Sequence, residues 1–192
     1  PHALIRLLGH DRAIVSGLYY TKTDPAQPLV LHGRYDGAAI SWTPGELVEC
    51  YGHGMGCTLI RTEVFAALAQ SGAAEPSPEP CSVCHGAGGA CEACVGSGRL
   101  LRWYLTTREP LTTPAGMPLL VYQTEDLYFL ERARAAGFQP AVDTGCFCWH
   151  WDTQTQLGYP AKQWREFRAH GTVTWDTPTG PVTWRGQIPE AA

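Results

Sequence analysis

"TEDLYFLERARAAGFQPAVDTGCFCWHW" (residues 124–151) sets two periodicities back to back. Residues 124–138 consist of good helix formers, with carboxylates at the start and Gly137 at the stop. The apolar pieces that follow, "QPAVD" and "CFCWHW", read as two strands. A helix that runs straight into strands, repeated elsewhere in the chain, predicts an α/β fold.

Upstream, residues 1–9 read as a short amphipathic helix, with Pro1 suited to its first turn and Gly9 to its end. "AIVSGLYYT" (residues 13–21) reads as a central strand, because both of its faces are largely apolar. A second strand is expected around residues 29–31, and "GELVECYGHGMGCTLI" (residues 45–60) gives a strand, a glycine-rich bend and another apolar run. "RTEVFAALAQSG" (residues 61–72) is a helix, with Thr62 as its expected cap and Gly72 as its terminator. "RLLRWYLTT" (residues 99–107) returns to strand, and "EPLTTPAGMP" (residues 109–118) reads as loop. In the tail, "TVTWD" and "PVTWR" predict a β-hairpin with Trp175 across from Trp184.

With 44% apolar and 17% charged residues, the chain has the composition of a folded globular protein. Its net charge of −4, without a basic run or stripe, argues against a nucleic-acid partner. No stretch approaches the roughly 18 to 20 apolar residues that span a bilayer, so no membrane span is expected. The start shows no signal-peptide pattern, and the expected location is the cytoplasm, the host's cytoplasm if the gene is a phage's. Of the eight cysteines, four sit in paired C-x-x-C units. The other four, Cys50, Cys57, Cys146 and Cys148, read as buried free thiols that pack as small hydrophobes.

"CSVCHGAGGACEACVGSG" (residues 81–98) repeats C-x-x-C-x-G-x-G twice. A C-x-x-C knuckle presents two sulfurs from one tight turn, and two knuckles complete the tetrahedron that zinc prefers. Cys81, Cys84, Cys91 and Cys94 are therefore the expected ligands of a structural Zn2+, with His85 beside them. A disulfide pair, a redox C-x-x-C and iron are the competing readings. The repeats resemble the cysteine-rich region of DnaJ-type chaperones, but no J-domain signature accompanies them. The Pro-rich "GAAEPSPEP" in front marks the element as an insertion, so it reads as a staple first and a knob for a protein partner second.

Three separated pieces carry a wider resemblance: "IVSGLYYTKTDPAQPLVL" (residues 14–31), "GHGMGCTLIRTEVF" (residues 52–65) and residues 124–150. In this order they resemble the C-terminal half of GT-A-fold glycosyltransferases, in particular the bacterial and phage proteins akin to family 2. The resemblance implies a mixed sheet flanked by helices. It also implies transfer of a sugar from a nucleotide-sugar donor to an acceptor hydroxyl, by an inverting displacement assisted by Mn2+ or Mg2+. Such a reaction needs a base for the acceptor proton and a cation for the departing diphosphate. By resemblance, Asp126 of the Glu125-Asp126 pair is the base, Gly54, Met55 and Gly56 line the pocket, and His150 joins the metal shell. Trp103, with Tyr104, is placed to stack on a sugar face.

Each of these residues also has a plainer reading. Glu125 and Asp126 suit a helix N-terminus, where they oppose the dipole. His150 suits an apolar strand, Gly54 and Gly56 suit a bulge, and Trp103 suits a core. The D-x-D motif that holds the nucleotide side of GT-A enzymes is absent from this sequence, which leads to the expectation of a fragment lacking the nucleotide-binding half. The expected organisation is a core of residues 1–71 and 99–150, a linker and zinc knuckle over 72–98, and a tail over 151–192. A non-catalytic, zinc-stapled interaction module on a transferase-like scaffold is the alternative function.

Overall fold

A computed structural model describes residues 2–33, 42–43, 45–112, 116–170, 172–177 and 180–185. Pro1, part of the expected loop (residues 113–115) and residues 178–179 of the hairpin connection lie outside the described residues. The first elements in chain order are α1 (His2–Leu8), β1 (Ile14–Leu18), β2 (Val30–Leu31), β3 (Leu47–Glu49), β4 (Gly52–His53), β5 (Thr58–Ile60) and α2 (Thr62–Gln70). Next come β6 (Glu75–Pro80), a 3-10 turn (Glu92–Cys94), β7 (Arg99–Arg102), β8 (Thr107–Thr112), β9 (Pro118–Gln123) and α3 (Glu125–Ala135). The last are β10 (Ala141–Phe147), β11 (His150–Asp152), β12 (Leu157–Tyr159), α4 (Ala161–His170), β13 (Thr172–Thr177) and β14 (Gly180–Arg185). The architecture is mixed α/β, and among the described residues no helix is long and apolar enough to cross a membrane.

The chain divides into two compact units, Pro1–Leu59 with Pro140–Ala192, and Ile60–Gln139. The first is built on a mixed sheet of order β3-β10-β1-β5. β1 pairs with β10 in parallel, Val15 opposite Ala141 and Gly17 opposite Asp143, while β3 joins β10 antiparallel with Val48 opposite Val142. Every residue of β1 is buried, as its two-sided apolar sequence predicts. One core cluster gathers Leu18, Val30, Val48, Cys50 and Val142, and a second gathers Leu7, Val15 and Cys146.

The second unit is built around α2 and α3. Val64 and Leu68 of α2 and Tyr128, Phe129, Leu130 and Ala133 of α3 are buried. Phe65 and Phe129 pack ring against ring at 5.4 Å, with Trp103 edge-on to Phe65 at 5.2 Å and Tyr104 stacked on Phe129 at 5.0 Å. Both helices end as their sequence predicts. Phe138 N donates to Ala133 O and Gly137 N to Arg134 O after α3, with the matching pair at Ala73 and Gly72 after α2.

Several expectations are corrected. Thr62 is the first residue inside α2, and the cap position is Arg61, which makes no side-chain cap bond. The Pro-rich linker is a strand: β6 pairs antiparallel with β7, Glu75 opposite Arg102, and forms the stem of the cysteine element. Prolines at 76, 78 and 80 are tolerated because β6 is paired on one side only, in a two-stranded sheet. The expected loop after residue 107 is a second hairpin, β8 with β9. The two expected strands near residues 139–151 are instead one strand continuous to Phe147, then β11. The C-terminal hairpin is present, but Trp175 stands opposite Val182 and Trp184 opposite Val173, so the two tryptophans are offset by two positions. Helix α4 was not anticipated.

Candidate functional site

The cysteine element folds as two near-identical turns. In the first, His85, Gly86 and Gly88 have φ of 50°, 91° and 67°; in the second, Val95, Gly96 and Gly98 have 49°, 78° and 72°. The last position of each repeat must be glycine for a second reason. A Cβ on Gly88 would lie 2.6 Å from Gly96 O, and one on Gly98 would lie 2.6 Å from Gly86 O. Each turn also aims an amide at a sulfur, Gly88 N at Cys84 Sγ (3.4 Å) and Gly98 N at Cys94 Sγ (3.3 Å). Hydrogen bonds of this kind favour the thiolate, the form that binds metal.

The four sulfurs converge. Cys81 Sγ is 3.9 Å from Cys91 Sγ, Cys84 Sγ is 3.7 Å from Cys94 Sγ, and all four lie within 4.8 Å of one another. A tetrahedron of sulfurs about 2.3 Å from zinc has edges of about 3.8 Å. Disulfide sulfurs would stand at about 2.05 Å, and all four cysteines are free. The residues fit a metal ion of the zinc type, held in a closed shell that leaves no position for substrate.

The remaining predicted residues fall in the two units. In the second unit, Glu125 and Asp126 form the first turn of α3, Glu125 exposed and Asp126 half-buried. Thr124 occupies the cap position without a side-chain cap bond, so the first-turn carboxylates are what oppose the dipole there. Thr106 Oγ1 donates to Glu125 Oε2 at 3.4 Å. The Tyr104 phenol is pushed above its ordinary range, first by burial and then by the charge of Asp126. Trp103 is half-buried, its ring set edge-on against Phe65.

In the first unit, Gly54 and Gly56 pass under the ring of Tyr19. A Cβ on Gly54 would meet Tyr19 Cδ1 and Leu29 Cδ1 at 2.9 Å, and one on Gly56 would collide with Tyr19 Cζ. Their smallness is thus used by the protein's own tyrosine, where an open cradle for a ligand was expected. Met55, between them, is half-buried. The far side of this region carries His150, stacked on Tyr19 at 4.5 Å, with its Nδ1 2.8 Å from Tyr20 O. That carbonyl assigns the proton to Nδ1 and leaves Nε2 as the ligand nitrogen, the orientation common to metal-binding histidines. Among the described residues, however, the only group of three or more ligand-type side chains is the cysteine element. His150 could offer one nitrogen and does not by itself make an Mn2+ or Mg2+ site.

Two groups escaped the sequence reading. Asp143, fully buried on β10, accepts from Arg6 Nε (2.5 Å), Arg6 Nη2 (2.8 Å) and Gly145 N (2.8 Å), with His10 Nε2 at 2.6 Å. The signal was available, since a lone carboxylate inside an apolar strand demands a cationic partner. His53 is also buried; its Nδ1 faces Gly54 O at 3.1 Å and its Nε2 meets no hydrogen-bond partner among the described residues. Burial pushes its pKa down to about 4, so it is neutral at pH 7. A cleft of about 260 Å³ is lined by Tyr20, Asp24, Pro25, Pro160, Ala161 and Lys162, none of them a predicted site residue.

A scan against protein-family models and searches of the curated proteins and of the solved structures returned no match to this chain.

Proposed function

We propose that the chain is the acceptor-side part of a glycosyltransferase that uses a nucleotide-sugar donor, stapled by one structural Zn2+ on Cys81, Cys84, Cys91 and Cys94. The observation that carries the reading is the placement of Asp126. It stands half-buried in the first turn of α3, close enough to the exposed Tyr104 for its charge to act on that phenol. A carboxylate there is reachable by an acceptor hydroxyl, and the exposed ring of Tyr104 suits the C–H face of a sugar. In this role Asp126 takes the hydroxyl proton as the oxygen attacks the anomeric carbon, and Glu125 adds negative charge that favours proton uptake. The order of the three family-2-like segments supports the same reading. His150, with Nε2 directed by the Tyr20 carbonyl, is the residue that would contribute to a divalent cation, but no step is assigned to that ion.

The test is nucleotide diphosphate release from a panel of nucleotide-sugars with an acceptor library, comparing wild type with Asp126→Asn. Loss of roughly 100-fold or more in the variant, with zinc content retained, is the expected result. Equal rates would remove Asp126 from the role, and no turnover with any donor by the full-length protein that carries this segment would remove the transferase reading. The second reading is a non-catalytic interaction module. It is favoured by Val83 and Val95, which the two knuckle turns expose to solvent.

A further inference from the structure

The cleft of about 260 Å³ lies within the first unit, between the turn that follows β1 and the start of α4. Both walls are fixed by the chain's own bonds. Across the turn, Thr21 N donates to Gln27 O at 2.8 Å, Gln27 N to Thr21 Oγ1 at 2.8 Å, and Thr23 Oγ1 to Pro25 O at 3.0 Å. Opposite, Trp164 N donates to Pro160 O at 2.9 Å, and the Trp164 ring lies so close to Gly158 that a Cβ there would stand 2.7 Å from Cδ2. Tyr20 also lines the cleft, with its ring packed on Phe147 at 5.6 Å and its carbonyl meeting His150 Nδ1. A cleft held in this way needs little ordering to receive a ligand.

Four polar side chains line it, the Tyr20 phenol, the Asp24 carboxylate, the Lys162 ammonium and the Gln163 amide. Among the described residues, none of these four side chains has a hydrogen-bond or ion-pair partner. Other charged groups of the unit are engaged, Arg6 and His10 with Asp143 and Arg12 with Glu49. The two lining charges are opposite in sign, so the cleft matches no net charge on a ligand. Asp24 can only accept, Lys162 can only donate, and Tyr20 and Gln163 do both. Burial pushes the Tyr20 phenol up to about 12, so it keeps its proton at pH 7.

A ligand that meets all four groups is neutral and carries groups that donate and accept at once, as hydroxyls do. At about 30 Å³ per water the space holds roughly nine waters, the size of one sugar ring. Pro25 and Pro160 line it with apolar surface suited to the ring's C–H faces. We propose that this cleft binds a single neutral sugar residue, with Asp24 accepting from its hydroxyls and Lys162 and Gln163 donating to them. The inference does not rest on the transferase reading, whose base Asp126 belongs to the other unit.

The probes are the methyl glycosides of glucose, galactose and mannose, titrated into the whole chain and followed by saturation-transfer NMR. Saturable millimolar binding of at least one is expected, weakened at least tenfold by Asp24→Ala and by Lys162→Ala and insensitive to added salt. No saturable binding, equal binding by both variants, or displacement of the sugar by lower concentrations of glycine would overturn the proposal, the last by assigning the cleft to a zwitterion. Should the variants fail to fold, amine acylation of the wild type decides, because Lys162 is one of only two lysines in the chain. Bound glycoside must slow acylation at Lys162 and leave Lys22 at its own rate; equal rates with and without sugar sink the site. No turnover is measured, so failure here leaves the transferase reading to its own test.

Discussion

Tyr128 Oη donates a 2.8 Å hydrogen bond to Glu75 Oε1, tying α3 to the strand that runs into the first knuckle cysteine. Arg102, opposite Glu75 in the stem, binds the same carboxylate at 3.2 Å, and the Arg132 guanidinium lies 3.3 Å over the Tyr128 ring. The four-cysteine site, the stem and the helix bearing Asp126 thus form one mechanical series. Burial, with the Glu75 bond second, pushes the Tyr128 phenol up to about 12, so the bond persists across the working pH range.

Stripping the metal with a tight chelator should therefore loosen more than the knuckle. Hydrogen exchange is expected to accelerate first in residues 75–102 and then in α3, while β1 keeps its protection. Tyr128→Phe should cost about 1 kcal/mol and uncouple α3 from the chelator's effect, since Glu75 is half exposed and its bond is worth the lower end for a charged acceptor. Exchange in α3 that ignores the chelator in wild type would refute the series.

Asp143 gives a prediction about acid stability. Burial alone would raise its pKa, but the bonds from Arg6, His10 and Gly145 N outweigh it and the net shift is downward. A depressed folded pKa contributes stability above the unfolded value of about 3.9, lost as pH falls further through the folded value. Asp143→Asn should cost about 2 to 3 kcal/mol at pH 7, less than a fully buried pair because Arg6 is 45% exposed. It should also flatten the wild-type loss below pH 4. Urea midpoints of both proteins between pH 7 and 3 check both points.

His53 works in a different window. Its folded pKa of about 4 lies below the unfolded value of about 6.5, so between these the unfolded chain binds the extra proton. Stability should then fall by about 1.4 kcal/mol per pH unit as pH drops from 6.5 toward 4, with no contribution above 6.5. The wild-type minus His53→Gln difference in stability, followed over that range, isolates the slope. A flat difference would show that His53 is protonated inside the fold.

Much was legible locally. The helix stops at Gly72 and Gly137, the buried central strand and the C-x-x-C-x-G-x-G twins are short-range signals. Each depends on backbone conformation or periodicity within a few residues, and each appears in the structure. The Pro-rich stem misled because proline composition marks loops in general. A strand paired on one side only places no such demand on its outer amides. The tryptophan register misled because two T-W pairs fix a hairpin but not its alignment, which the connection sets.

The sequence by itself determined that four cysteines converge on one site that fits a metal ion, because their spacing and glycines close that site within 18 residues. Only the tertiary structure could bring Arg6 and His10 to Asp143, more than 130 positions away. It alone places Tyr19 over Gly54 and Gly56, and Cys146 and Cys148 against Gly17. These groups meet because sheet order, β10 beside β1 beside β5, makes neighbours of strands distant in the chain. No local pattern encodes that order; it follows from burying all of these apolar strands at once.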